Sequence, residues 1–111
     1  MVTFQDENNY VKAAQFMDWF CVDDSILWVN LEQYIIKKER IYSPSSMAKM
    51  LTHFSNQGEG SKDFYDFMEH MYNSEKFIEL ETKTIISMAY SFYQVHAGTV
   101  HFFGILEEDL N

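Results

Sequence analysis

Apolar residues recur along this chain at helical rather than strand spacing. Tyr10, Ala14, Met17 and Cys21 fall on one stripe, with Ala13, Phe16 and Phe20 beside it. That period predicts a broad-faced helix from about Asp6 to Cys21. Asp6 and Glu7 suit its start, where the helix dipole favours negative charge. Asp23-Asp24-Ser25 then offers a break and an N-cap. Leu27, Leu31, Tyr34 and Ile35 carry a second helix to about Lys38, and the basic run Lys37, Lys38 and Arg40 suits its end. Ile26–Val29 also reads as the start of a strand.

The clearest start signal is Ser43-Pro44, a capping hydroxyl before a proline at the first helical position. Met47, Met50, Leu51 and Phe54 follow it at helical spacing, and Gly58-Glu59-Gly60 ends the unit. Ser61 caps a fourth helix. Phe64, Phe67, Met68 and Met71 line one face of it, with Tyr65 and Tyr72 alongside, and Asp63, Asp66 and Glu69 line the other. Lys76–Glu81 fits helix and strand equally. A fifth helix spans about Thr82 to Ala97, with Ile85, Met88, Ala89, Phe92 and His96 on its stripe. Gly98 follows at a C-cap position. Thr99–Leu106 is rich in β-formers and is left open between helix and a short strand, which would pair with 76–81 or with Ser91–Val95. Two fold classes result. One is an all-α bundle of about five helices, with or without a short C-terminal β element. The other is an α+β fold with a small antiparallel sheet. Residues 1–111 read as one domain.

Composition narrows the function. The chain is 47% hydrophobic and contains 10 Phe, 7 Tyr and 2 Trp, enough aromatic surface to argue against disorder. More aromatics are present than a small core hides, so some of Trp19, Trp28, Tyr65, Tyr72 and Tyr93 are expected at the surface as interface anchors. Seventeen acids against eight bases give a net charge of −9. Such a surface repels nucleic acid and anionic membranes and attracts basic proteins. The charge is uneven. Residues 37–49 carry four bases and one acid, whereas residues 50–111 carry ten acids and three bases. The single cysteine, Cys21, sits in an apolar run and reads as a buried, inert thiol of a reducing cytoplasm. The N-terminal residues show no signal-peptide pattern, and no apolar run approaches a membrane span.

Motifs of catalysis are missing. There is no H-E-x-x-H, no cysteine pair, no Gly-x-Ser-x-Gly and no phosphate loop. Asp66 and His70 share a helical face, and His96 and His101 flank Gly98, but i, i+4 pairing and core packing account for these spacings. The chain is therefore read as non-enzymatic, without metal or cofactor. The expected function is a protein-binding inhibitor that blocks a basic nuclease, toxin or nucleic-acid-binding protein. Immunity proteins, antitoxins and DNA-mimicking anti-CRISPR or other anti-defence proteins share this size and charge. The candidate surface is Asp63, Tyr65, Asp66, Glu69, Glu75, Glu79 and Glu81. The alternative is a cytosolic adaptor or chaperone holding a client segment in a Met/aromatic groove around Met47, Met50 and Met71. Homodimerisation would use the same exposed aromatics.

Overall fold

The computed structural model describes residues 4–37, 42–74 and 81–110. They form six helices: α1 (Phe4–Trp19), α2 (Ser25–Lys37), α3 (Pro44–Asn56), α4 (Lys62–Ser74), α5 (Thr82–Gln94) and α6 (Val100–Leu110). No strand occurs among the described residues, so the α+β alternative and the C-terminal β element are not seen, and the helix count is six rather than five. Glu75, Glu79 and the rest of the ambiguous 76–81 segment before Glu81 lie outside the described residues, as do Lys38 and Arg40.

The starts follow local chemistry. The Asp24 carboxylate accepts from the Ile26 N–H at 3.0 Å at the head of α2. Ser43 Oγ accepts from the Ser46 N–H at 3.2 Å ahead of Pro44, and Ser61 Oγ accepts from the Phe64 N–H at 3.3 Å. All three bonds satisfy donors that have no partner inside their helix.

The ends of α1, α3 and α5 share one motif. Cys21, Gly58 and His96 each adopt a positive φ, of 49°, 66° and 58°. Each donates to the carbonyl three residues back (Asp18, Ser55, Tyr93), and the next residue donates to the carbonyl five back (Met17, Phe54, Phe92). This is the Schellman closure, which favours glycine at the left-handed position. Only Gly58 provides it; Cys21 and His96 adopt it with a Cβ. Cys21 therefore lies past the end of α1 with its thiol exposed, which corrects the buried placement. The stripe that seemed to include Cys21 stops when the helix does.

Thr99–Leu106, open between strand and helix in the sequence, is resolved as helix from Val100. Thr99 caps α6, its hydroxyl oxygen accepting from the Phe102 N–H at 3.0 Å. Phe102 and Leu106, four apart, are the two buried residues of that helix. The periodicity is 3.6 despite the β-rich composition.

Odd helices neighbour one another, α3 lying between α1 and α5, while α4 lies between α2 and α6. The molecule measures 38 × 32 × 22 Å, and its shortest dimension matches two helices of about 10–12 Å stacked. Two three-helix layers therefore form the molecule, joined along their edges where α1 meets α2 and α5 meets α6. Aromatic rings fill the space between. Phe54 stacks on Phe64 at 4.2 Å and meets Trp28 edge-on at 4.9 Å. Tyr65 meets Phe92, Phe92 packs on Phe102, and Phe102 meets Tyr72. Of the five candidate anchors Trp19 and Tyr93 are the exposed ones, and Trp28, Tyr65 and Tyr72 are thus core residues. Met47, Met50, Met68, Met71 and Met88 are buried with them.

Three buried polar groups tie elements together. Asp18, at the end of α1, accepts from His53 Nδ1 at 2.8 Å, Asn56 Nδ2 at 3.1 Å and Gln57 Nε2 at 2.7 Å, all from the end of α3. Burial raises its carboxyl pKa, but these three bonds outweigh burial and hold it below the ordinary value. Glu32, buried in α2, accepts from the Ser61 N–H at 2.8 Å and from Ser61 Oγ at 2.5 Å, fixing the cap of α4. Tyr42 donates its hydroxyl to the Ile35 carbonyl at 2.8 Å, satisfying an acceptor in the last turn of α2.

Candidate functional acidic surface on α4 and α6

The amphipathic pattern of α4 orients the candidate site. Phe64, Met68, Met71 and Tyr72 face the core, which turns Asp63 and Asp66 outward as exposed carboxylates. Neighbouring α6 exposes Glu107 and Glu108. Two adjacent helices thus both expose acids, and the α6 acids were not part of the sequence-based surface. A terminal acidic run gave the composition signal for them. Its placement beside α4 became visible only with α6 folded as a helix.

The other predicted residues take separate positions. Glu69 is partly buried, accepting from the Thr99 N–H at 3.2 Å and the Thr99 hydroxyl at 2.8 Å. It positions the start of α6. Tyr65 is buried, and its hydroxyl donates to the Glu59 carbonyl at 2.9 Å. Burial first, then the nearby Glu32 and Glu59 charges, push its phenol pKa well up. Glu81 is exposed at the head of α5 and lines a different cleft from Asp66. The seven-residue surface is thus divided. Asp63 and Asp66 belong to the acidic face, and Glu81 does not adjoin them.

A cleft of about 400 Å³ opens between the α3–α4 loop and the α5–α6 turn, lined by Glu59, Lys62, Tyr65, Asp66 and His96 among others. Gly60 lets the loop pass over Tyr65, since a Cβ there would lie 2.7 Å from the ring. Lys62 donates to Asp66 at 2.6 Å. Its hydrogen bond to that carboxylate raises the lysine pKa. Both side chains are largely solvated, so the pair is exchangeable for an incoming cation. Beside the cleft, the Tyr93 ring lies 6.5 Å from that of His96 and is 70% exposed. Tyr93 is the expected anchor that the structure does place at the surface near acidic side chains. Trp19 is exposed as well, as are Phe16 on α1 and Phe20 just past its end.

Among the described residues no group of three or more His, Cys, Asp or Glu side chains could hold a metal ion. None of their helices is long and apolar enough to cross a membrane. No protein-family model matches this chain, and no curated protein or solved structure shows significant similarity to it.

Proposed function

We propose that this protein binds and blocks a basic protein partner, a nuclease, toxin or nucleic-acid-binding protein, through the acidic face of α4 and α6. The observation that carries the reading is the junction of acid and aromatic at one edge. Asp66 and Glu59 line a cleft whose His96 wall is flanked by exposed Tyr93. A partner lysine or arginine entering this cleft would replace Lys62 on Asp66, and Tyr93 would supply the apolar contact that long-range charge cannot. Carboxylates spaced along α4 and α6 would stand where phosphates otherwise bind, in the manner of a DNA mimic of immunity or anti-defence type acting in a cytoplasm. The adaptor alternative has less support, because Met47, Met50 and Met71 are packed inside the protein.

The test is capture from host lysate by immobilised protein, with the Asp63→Lys/Asp66→Lys double variant alongside. A basic nucleic-acid-binding protein should be retained at low salt and released at about 0.5 M, where exposed charges are screened. It should be missing from the variant, and its nucleic-acid binding should fall when the purified wild-type protein is added. Equal retention by the variant, or retention insensitive to salt, overturns the assignment.

A further inference from the structure

Helix α2 carries no exposed acid, although the chain has a net charge of −9. Its one carboxylate, Glu32, is buried and holds Ser61. In place of charge the helix exposes Ile26, Leu27, Val29 and Tyr34, each at 47% or more. Leu27, Asn30, Tyr34 and Lys37 recur at spacings of three, four and three residues, and all four are exposed. That is the repeat by which one helix presents a seam to another. We propose that this stripe pairs with the same stripe of a second copy of the chain, the two α2 helices running antiparallel about a twofold axis at Asn30.

The order of residues along the stripe makes it complementary to its own reverse. Asp23 and Asp24 precede the helix, Lys37 ends it, and all three are exposed. Asp24 is engaged by the Ile26 N–H, so Asp23 is the acid assigned to the pairing. With Asn30 on the axis, residues equally far on either side of it meet. Leu27 lies three before Asn30 and Tyr34 four after; Asp23 lies seven before and Lys37 seven after. Leu27 of each copy then packs on the partner's Tyr34, and Asp23 meets the partner's Lys37. Both contacts occur twice by symmetry. The two Asn30 amides face each other, a polar contact of the kind that fixes register in helical seams. A parallel pairing would set acid on acid and lysine on lysine, and like charges oppose it. One 13-residue helix on each side covers less than the ~800 Å² per partner of a standard interface, so the dimer is weak and forms reversibly with concentration.

Sedimentation velocity of the full chain, from about 5 µM to about 1 mM at constant salt, reads the equilibrium. A shift toward twice the monomer mass is expected across that range. Leu27→Glu should raise the dissociation constant by about tenfold or more, since it sets a carboxylate into the apolar part of the seam; a circular dichroism melt checks that this variant is folded. Charge exchange tests the direction of pairing. Lys37→Glu and Asp23→Lys, both at exposed helix ends, should each associate several-fold more weakly alone, because every dimer then holds two like-charged pairs. Mixed in equal amounts they should recover wild-type association, because both pairs in the mixed dimer are again of opposite charge. A substitution that only loosened the fold would not be rescued by mixing. A chain that stays monomeric throughout would assign the stripe to a different occupant and overturn the pairing. So would a dimer indifferent to Leu27→Glu, or charge variants that mixing does not restore.

Discussion

Asp18 shows how much one side chain does in a protein this small. Its carboxylate gathers three side chains from the end of α3, so Asp18→Ala leaves His53, Asn56 and Gln57 without their acceptor. A loss of about 2–3 kcal/mol is expected, the range for hydrogen bonds to a charged group with partly exposed donors, read from urea denaturation. The pH dependence has a definite sign. The folded-state pKa lies below the ordinary value. The wild-type advantage over Asp18→Ala is therefore full above about pH 4, the unfolded carboxyl value, and disappears as pH falls through the folded one. An advantage that instead grew on acidification would rule out the ionised carboxylate as its source. None of this was legible in the sequence. Asp18 reads there as one more acid, because its partners lie 35 or more residues along the chain.

Elements were more legible than residues. Ser43-Pro44 and Ser61 mark helix starts because a cap is a bond between near neighbours, and local sequence contains all of it. Thr99–Leu106 stayed open between strand and helix for the reverse reason. Its start is fixed by Glu69, thirty residues away, and a bond at that distance leaves no trace in local propensity. The acidic face of α4 was readable from period alone as far as Asp63 and Asp66, while Tyr65 was not. A tyrosine beside an apolar stripe can be anchor or core, and the packing of Phe92 decides it. The helix ends yield their own prediction. Cys21 and His96 occupy left-handed positions that cost a residue with a Cβ about 1–2 kcal/mol. Both are exposed, so little packing is lost on truncation. Cys21→Gly and His96→Gly should each raise stability by up to about 1 kcal/mol, part of the relief being offset by glycine's unfolded-state entropy. Thermal melts check this, and a drop in Tm for both would remove the strain argument.

Taken whole, the molecule is a slab that exposes carboxylates on α4 and α6, while the cleft between α3 and the start of α5 carries Lys49 and Lys83 together with Glu81. Its net charge is −9. Among the described residues, the Lys62–Asp66 and Lys83–Glu81 pairs are both solvated and hold little stability. Self-repulsion should therefore be measurable. Raising sodium chloride from about 20 to about 200 mM should increase the urea midpoint, because screening weakens repulsion over the distances between surface acids. A midpoint that stays level or falls would show that the acids are already well dispersed.

The central position of α3 also dictates an order of events during synthesis. Its two flanks are covered by α1, made before it, and α5, made after it, and neither is its neighbour in the chain. A nascent chain that has reached only α4 has α1 available for one flank of α3, but the surface that α5 will cover is still bare. Stable folding must wait until α5 has cleared the ribosome. Until then the exposed side of α3 is a feature of every growing copy, open to chaperones and to neighbouring chains on the same message.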